Sequence, residues 1–501
     1  MKDKFDELAK GLAQSATRRG ALKKFGLGLV GFALLAGALD LCTVAAEAGD
    51  LPQATITQNF SGSTINDCAS DAYCAAPDCS GAAGPKHFVE LINNHYAVYR
   101  KLDGVRLQSM TMDAFWTGLG ISLASNEHTV DPQVLYDPAA GRWYACSISD
   151  PTGTRVLFAV SQSSDPTTGW AGFAIGLSSP DVSNGEGPLH LGSNRDGVFL
   201  RAARYLSKSP YSYTGHTVIV LPKADLLAPT ASVARSTLLD VVGFDQIGTW
   251  PGCVVDMDNG GMPGILLTAN GGLNAYPFGV YKRTDILGPV TSPTLDFGTG
   301  YPDKFYFGAS YRIAPPAPQP DANFLPLGGA FPIHQSPIWM KGGEIWSVLN
   351  AVDDGSGRGT IHWLRMSAAT NTIIEEGFIG HPQLTYFYPS IALNGKGDVV
   401  IGFNGSGPNP GQYASCYAIV GKTRGGGTLF GQPILLKAGL ASFKSNVKGT
   451  TFGGFGKAYP WGDYSFTTLD PENPFTFWTI QEWPSDNSTW STQITALTIA
   501  H

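Results

Sequence analysis

The stretch YPSIALNGKGDVVIGF, residues 388–403, contains the pattern that decides the fold of this chain. Pro389 precedes a short apolar run, the segment 394–397 is rich in glycine and asparagine, and a second run begins at Val399. Short β-branched runs on the two sides of an Asn-Gly turn are typical of a β-hairpin. The stretch therefore predicts two antiparallel strands joined by a tight turn.

The same unit recurs along the chain, as a proline or small residue, a short strand, a Gly/Asn/Asp turn and a second apolar strand. Seven copies start near Gly84, Asp131, Gly187, Trp250, Pro332 or Pro337, Tyr388 and Pro460, with turns at 93–94, 137–141, 194–197, 258–261, 341–343, 394–397 and 470–474. The starts are on average about 63 residues apart, which fits one four-stranded sheet with long loops.

Seven copies of such a unit predict an all-β chain folded as a single seven-bladed β-propeller. A lone four-stranded sheet has exposed edges, and radial packing around an axis protects the edges and buries both faces. The alternative, two β-sandwiches in tandem, does not explain why the unit recurs without a linker. Strand-like segments at 54–57 and 493–499 predict that one end of the chain completes a blade begun by the other.

Composition excludes several classes of protein. Of 501 residues, 43% are apolar, which argues against a disordered chain, and a net charge of −7 leaves no broad basic surface for nucleic acid. We therefore expect a globular protein that does not bind nucleic acid.

The first 48 residues are interpreted as a signal peptide. Basic residues precede an uncharged run at 25–39, which is too short to span a bilayer as an ordinary helix, and Ala46-Glu47-Ala48 provides a small-residue cleavage site. Arg18-Arg19 within 17–23 resembles the bacterial twin-arginine export signal, although Ala21 stands where that signal usually has phenylalanine; an ordinary secretory signal is the alternative. The resemblance implies a periplasmic or extracellular protein with no membrane attachment after cleavage.

The domain boundaries follow from this interpretation. We expect a signal peptide at 1–48, an N-terminal strand and cysteine-rich loop at 49–81, and the propeller at 82–501. Cys68, Cys74 and Cys79 lie in a Gly/Ser/Asp-rich stretch and are disulfide candidates, because exported proteins permit disulfides. The remaining three cysteines of the mature chain lie in strand-like runs and are expected to be buried thiols.

Two sets of residues resemble known families. The run from Ser163 through Asp165 to Trp170 is similar to the Asp-box of sialidase-like propellers, a structural turn, with glycine and threonine exchanged relative to the usual order. The runs PDCSGAAGPKHFVE (77–90), DPQVLYD (131–137) and WGDYS (461–465) resemble a family of secreted bacterial propellers of uncharacterised role. The resemblance covers nearly all of the chain after the signal and implies fold and location, with no catalytic residues.

Ligands of propellers usually bind at the mouth of the central channel, where each inner strand begins. The residues beside each predicted start are therefore the candidates for ligand binding, and they are Asp78, His87, Asp131, Glu186, Trp250, Tyr388, Trp461 and Asp463. Carboxylates and aromatic rings together could hold a sugar or, through oxygen ligands, a calcium ion. The alternative is that they cap strands and line a water-filled channel.

Two functions remain open on these grounds. We expect binding of a carbohydrate or a protein partner at the channel face, since no catalytic motif is evident. The alternative is an extracellular glycoside hydrolase of the sialidase-like type, which requires three arginines, a Tyr-Glu pair and an acid. The chain has arginines at 195, 201, 204, 283 and 312 that could supply those three. A structural surface protein without a small ligand is a third possibility.

Overall fold

A computed structural model describes the fold of this chain. It covers residues 51–68, 72–150, 154–177, 182–183, 189–206, 213–242, 251–270, 280–287, 290–297, 309–310, 314–328, 334, 336–353, 355–447, 449–451 and 456–500. The predicted signal segment at 1–48 lies outside these residues. The structure is nearly all β, with antiparallel sheets throughout and, in the described part, short helices at Met112–Gly118 and Lys223–Leu226 and 3-10 turns at Ile65–Asp67 and Ala72–Ala75.

The described strands form three four-stranded sheets, one five-stranded sheet, one two-stranded sheet and one 14-stranded sheet, in which parallel bridges join three antiparallel groups. Divided at those parallel bridges, the strands are described here as seven antiparallel groups of four, called units 1 to 7. Unit 1 contains β2 (Ser80–Ala83), β3 (His87–Ile92), β4 (His95–Arg100) and β5 (Arg106–Thr111). Unit 2 contains β6 (His128–Asp137), β7 (Arg142–Asp150), β8 (Arg155–Ser161) and β9 (Trp170–Gly176). Unit 3 contains β11 (His190–Ser193), β12 (Gly197–Leu206), β13 (Tyr213–Pro222) and β14 (Thr237–Val242), and β10 (Val182–Ser183) also pairs with β12.

Units 4 to 7 repeat this order. Unit 4 contains β15 (Gly252–Asp256), β16 (Gly264–Asn270), β17 (Val280–Leu287) and β18 (Thr294–Phe297). Unit 5 contains β20 (Ile338–Lys341), β21 (Glu344–Asp353), β22 (Gly359–Ser367) and β23 (Thr372–Ile379), and β19 (Ala309–Ser310) pairs with β21. Unit 6 contains β24 (Thr385–Leu393), β25 (Asp398–Ser406), β26 (Ser415–Arg424) and β27 (Gly427–Phe430), and β28 (Ile434–Lys437) also pairs with β26. Unit 7 contains β31 (Phe466–Leu469), β32 (Thr476–Pro484), β33 (Trp490–Ile499) and β1 (Ala54–Thr64), while β29 (Thr450–Thr451) pairs with β30 (Lys457–Ala458).

Unit 7 is built from both ends of the chain. β1 runs antiparallel to β33, with Ala54 opposite Ile499 and Phe60 opposite Ile494. The prediction that one terminal segment completes a sheet begun by the other is therefore confirmed. The boundary expected between 81 and 82 falls inside β2, and β1 belongs to the sheet of unit 7.

The first strand of each unit, here called the inner strand, contacts the inner strand of the next unit. The contacts run from β2 to β6, β11, β15, β20, β24 and β31, and β31 contacts β2 again. β11 pairs in parallel with β15, and β15 in parallel with β20. The inner strands therefore form a closed ring. β24 is buried along its whole length, as expected for a strand covered on both faces.

Local side-chain bonds explain the hairpin turns. Asn394 Oδ1 accepts hydrogen bonds from the backbone N–H groups of Lys396 and Asp398, at 2.8 and 3.0 Å. Gly397 adopts φ 82°, a conformation that costs glycine little. Asn194 makes the equivalent bonds to Asp196 and Gly197, so the asparagine of each of these turns sets the hairpin.

Six of the seven repeats in the sequence coincide with an inner strand and its following turn, and the first does not. The predicted copy beginning at Gly84 turns at 93–94, which is the turn between β3 and β4. The inner strand of unit 1 is instead β2, whose turn is the segment 84–86. β2 reads Ser-Gly-Ala-Ala, and its small residues hide it from a search for bulky apolar strands.

The run that resembles an Asp-box forms the turn between β8 and β9. Asp165 accepts bonds from the N–H and hydroxyl of Thr167, and the Trp170 indole donates to the Pro166 carbonyl at 2.9 Å. Gly169, at φ 132°, stands where a side chain would be strained. These residues hold a hairpin, which is the structural role expected from the resemblance.

Candidate functional site

The ring of inner strands has two ends with different chemistry. Asp78 precedes β2, and Asp131 and Tyr388 lie early in β6 and β24, so the end where the inner strands begin is here called the Asp78 end. The turns that follow the inner strands lie at the opposite end, here called the Lys223 end, because Lys223 lines it. The sequence predicted the ligand site at the Asp78 end.

Four carboxyl groups meet at the Asp78 end, and Asp78, Asp131, Asp463 and Glu482 are here called the acidic cluster. Asp78 accepts hydrogen bonds from Asn93 Nδ2 at 2.6 Å and from the backbone N–H of Asp463 at 2.7 Å. Its side chain also hydrogen-bonds that of Asp131. A hydrogen bond between two carboxyl groups forms only while one of them carries a proton.

Burial and mutual repulsion change the acidity of this cluster. Burial raises the pKa of Asp78 from 3.8 to about 6, against the hydrogen bonds that lower it. Burial and the charges of Asp78 and Asp463 raise the pKa of Glu482 well above its usual range. The pKa of Asp463 is likewise raised well above its usual range, chiefly by burial and then by the charge of Asp78. The cluster therefore favours protonated carboxyl groups.

The backbone at this end adopts unusual conformations. Asp78, Asp131 and Tyr388 have φ values of 49°, 52° and 51°, in the left-handed region that disfavours residues other than glycine. Asp78 lies just before β2, and Asp131 and Tyr388 lie at register shifts within β6 and β24. Strain of this kind persists only where surrounding contacts determine the conformation, and here the bonds of Asn93 to Asp131 and of Asn350 to Tyr388 hold the backbone N–H groups.

Side-chain hydrogen bonds close the ring at the Asp78 end. The Ser336 hydroxyl lies 2.8 Å from the Pro389 carbonyl and 2.9 Å from the Ser465 carbonyl, and so joins units 5, 6 and 7. Tyr464 Oη donates to the Pro132 carbonyl at 2.8 Å and so joins units 7 and 2. A crevice lined by Ser336, Tyr388 and Asp463 has a volume of about 10 Å³. That crevice has space for a single water molecule.

A buried histidine belongs to the same belt. His190 Nδ1 accepts the N–H of Cys253 at 3.1 Å, and Nε2 donates to the Ser336 carbonyl at 2.9 Å. This pattern requires a neutral imidazole, and burial together with the Arg201 guanidinium lowers the pKa of His190 to about 3. His190 therefore has a structural role in joining units 3, 4 and 5.

The structure brings several predicted site residues together. Asp78, Asp131 and Asp463 meet in the acidic cluster. Tyr388 lines the small crevice with Asp463. Trp461 is 2% exposed and its ring packs edge-on against Phe443 at 5.3 Å, so it is a core side chain with an unpaired indole N–H.

The other predicted residues do not join this group. His87 begins β3, at the opposite end of the hairpin from Asp78, and its Nδ1 lies 3.9 Å from Asp165. Glu186 and Trp250 lie outside the described residues. Among the cysteines, Cys79 is a buried free thiol next to the acidic cluster, Cys68 Sγ lies 3.8 Å from the Asn93 carbonyl and Cys74 is buried. A disulfide among these three stays a prediction.

An open cavity of about 340 Å³ lies at the Lys223 end, and it is here called the axial cavity. Residues of units 2 to 7 line it, because the ends of the inner strands and the turns after them converge there. Tyr136, Met257, Leu469 and three prolines form apolar parts of its wall. Its volume is at the lower end of the range for small-molecule sites, which is about 300–1,000 Å³.

Charged side chains of both signs also line the axial cavity. Lys223 Nζ lies 2.6 Å from Asp137, and both side chains are almost fully buried. Lys341 pairs with Asp258 at 2.5 Å, while Lys396 is exposed. The sequence pattern did not indicate these residues, because ligands were expected where the inner strands begin. These residues could have been found in the sequence by their position, since each lies at or just after the carboxyl end of an inner strand. Lys223 is the exception, because it follows β13.

The described part of the chain brings together neither a metal-binding group nor three arginines at one site. No three His, Cys, Asp or Glu side chains of that part are placed to hold a metal ion. The segment 256–260 is a hairpin turn, in which Asp256 accepts the N–H groups of Asp258 and Gly260. Of the arginines considered for a sialidase site, Arg195, Arg204 and Arg283 pair with the separate carboxylates Asp196, Asp240 and Asp285. Arg201 bonds the Pro251 carbonyl, and Arg312 lies outside the described residues.

None of the helices in the described residues is long and apolar enough to span a bilayer. No protein-family model matches the chain, and no curated protein matches it.

Several solved structures share distant similarity with this chain. An endo-arabinase from Bacteroides thetaiotaomicron is 13% identical over 59% of this chain and 93% of its own, with a TM-score of 0.30. A levansucrase mutant of B. megaterium is 11% identical over 63% and 87%, with a TM-score of 0.34. Drosophila Semaphorin 1b, extracellular domains 1-2, is 6% identical over 89% and 88%, with a TM-score of 0.37. At these TM-scores the similarities assign no function to this chain.

Proposed function

We propose that this chain is an exported seven-bladed β-propeller in which units 1 to 7 are the blades. Three features support the blade count: the seven four-stranded groups, the ring of contacts between their inner strands, and the closure of unit 7 by β1. Export through the twin-arginine pathway to the periplasm or beyond is part of this proposal, and it is supported by the sequence of residues 1–48 alone.

We further propose that the protein binds a carbohydrate at the axial end of the ring. The observation that carries this proposal is the contrast between the two ends, with about 340 Å³ of open volume at the Lys223 end and about 10 Å³ at the Asp78 end. A wall of apolar surfaces interrupted by a few polar groups fits a sugar, whose ring faces are apolar and whose edge is hydroxylated. About 340 Å³ accommodates one or two sugar rings.

A matched pair of substitutions tests this proposal. Ala139 is exposed and lines the axial cavity, whereas its neighbour Ala140 belongs to the same turn and is not part of the wall. We expect Ala139→Trp to abolish retention of glycans from a complex mixture and Ala140→Trp to leave it intact, as measured by mass spectrometry of bound species. Equal retention by both variants would contradict binding in the axial cavity. A protein that retains no glycan would favour a protein partner.

A glycoside hydrolase is the second candidate function, and the acidic cluster favours it. A carboxyl group with a pKa of about 6, as in Asp78, is suited to general acid catalysis near neutral pH. The small crevice argues against it, because a sugar could reach the cluster only after the Asp78 end opens. Shortened glycans released by the wild-type protein, and not by Asp463→Asn, would establish hydrolysis at this end.

A further inference from the structure

The carboxylates in the wall of the axial cavity are already used by donors of the protein. Asp137 Oδ1 accepts the N–H groups of Ala139 and Ala140 at 3.0 and 3.1 Å, and its Oδ2 accepts Lys223 Nζ. Asp256 accepts two backbone N–H groups at 2.9 Å, one on each oxygen. These bonds already occupy three of the roughly four accepting positions of Asp137 and two of those of Asp256.

The third carboxylate of the wall is engaged in the same way. Asp470 Oδ1 accepts the N–H of Glu472, and Oδ2 accepts the Trp478 indole at 2.9 Å and lies 2.8 Å from Lys101 Nζ. The acceptors of the wall are therefore bound to backbone N–H groups, to an indole and to lysines. A ligand that offers only hydroxyl donors would find few free partners among these carboxylates.

The lysines of the wall retain unused donors. An ammonium group has three N–H bonds, and Lys223 and Lys341 each have one carboxylate partner, Asp137 and Asp258. No carboxylate in the described part of the chain lies within ion-pair distance of Lys396, which lines the cavity from the turn after β24. Unused donors with a positive charge lie in the turns after β20 and β24, and after β13.

From this arrangement we infer that the axial cavity binds an acidic sugar, one whose ring carries an oxyanion such as a carboxylate or a sulfate ester. This inference rests on the proposed binding of a carbohydrate in the cavity and names its chemical class. The oxyanion accepts charge-assisted hydrogen bonds from Lys396 and Lys341, and these bonds are stronger than those of a neutral hydroxyl. The apolar wall around Tyr136 and Met257 then covers the faces of the ring.

Calorimetric titration of the purified protein with three disaccharides tests the inference. The probes are a uronic acid disaccharide, a sulfated disaccharide and a neutral disaccharide of the same linkage. We expect the two anionic probes to bind at least about tenfold more tightly than the neutral one, and added salt to reduce the difference. The relative affinities of the first two identify which oxyanion the site prefers.

Two lysine variants complete the test. Lys396→Gln is expected to weaken the anionic probes about tenfold and leave the neutral probe unchanged. Lys457→Gln is the matched control, since Lys457 is equally exposed and lies outside the cavity wall. Equal affinities for all probes, or no effect of Lys396→Gln, would overturn the acidic-sugar inference and leave carbohydrate binding in place. Absence of binding of every probe, in wild type and Ala139→Trp alike, would overturn both.

Discussion

The acidic cluster predicts an unusual dependence of stability on pH, which the substitution Asp78→Asn makes measurable. The folded protein holds the pKa of Asp78 at about 6, above its ordinary value of 3.8. A carboxyl group whose pKa is raised by folding stabilises the fold while it is protonated. Its contribution is fully present below about pH 4 and is lost as the pH rises to about 6.

The magnitude follows from the size of the shift. The change from 3.8 to about 6 corresponds to about 3 kcal/mol, at about 1.4 kcal/mol per pH unit. Asparagine at 78 carries no charge, so the variant escapes this loss. Its amide has one acceptor oxygen in place of two, so the variant also forfeits one of the two bonds that Asp78 accepts from Asn93 and from the backbone N–H of Asp463, a cost of about 1–3 kcal/mol at every pH. The free energy of unfolding of the variant, relative to wild type, should therefore increase by about 3 kcal/mol between about pH 4 and about pH 7.

Urea denaturation at constant ionic strength, repeated across this pH range for both proteins, measures that difference. Asp463→Asn should change in the same direction, since burial and Asp78 raise the pKa of Asp463. Asp103→Asn is the control, because Arg100 lowers the pKa of the exposed Asp103 below 3.8, so its effect on stability changes only below about pH 4 and its difference from wild type should stay nearly constant between about pH 4 and about pH 7. A difference between Asp78→Asn and wild type that stays constant with pH would refute the raised pKa.

Three further results are expected. Ser336→Ala should lower the free energy of unfolding by about 1–3 kcal/mol, because it leaves the Pro389 and Ser465 carbonyls without their shared donor, while the exposed Ser488→Ala should change it by about 0.5 kcal/mol or less in urea denaturation. Phe60→Ala should lower the free energy of unfolding by about 2–3 kcal/mol in the same assay, because this half-buried ring of β1 packs against Tyr99 of unit 1 and Trp478 of unit 7. Cys79, Cys146, Cys253 and Cys416 should resist a thiol-specific reagent in the native protein and react only on unfolding, because burial excludes the reagent and raises the pKa of each thiol.

The predictable parts of the fold are those that depend on local chemistry. The turn at 394–397 is set by Asn394 and Gly397, and such residues mark a hairpin wherever they occur between apolar runs. The pairing of β1 with β33 was predictable because both ends of the chain carry strand-like sequence that a ring must accommodate. The register of unit 1 was not predictable, since β2 consists of small residues and its Gly81 is required by close approach to Phe88 and Ile480.

The candidate site was predictable only in part, because residue type and position in the ring do not reveal which partners a side chain already has. Asp78, Asp131 and Asp463 were predicted to bind a ligand or to cap strands, and the structure shows the Asp78 side chain bonded to Asn93, to the backbone N–H of Asp463 and to the Asp131 side chain. Trp461 was selected as a stacking surface and is buried. Each partner lies tens or hundreds of residues away in the sequence, so no local pattern could indicate these bonds.

The two ends of the ring differ in what their side chains bond to, and this difference indicates where a ligand can bind. At the Asp78 end, polar side chains bond between units, since Ser336 bonds carbonyls of units 6 and 7 and Tyr464 bonds a carbonyl of unit 2. At the Lys223 end, the inner strands pass into their hairpin turns, and a cavity of about 340 Å³ lies among the residues of those turns. The side chains available to a ligand in this cavity are thus mainly those of the turns. In such a ring, the end of each inner strand is therefore as good an indicator of binding residues as its beginning.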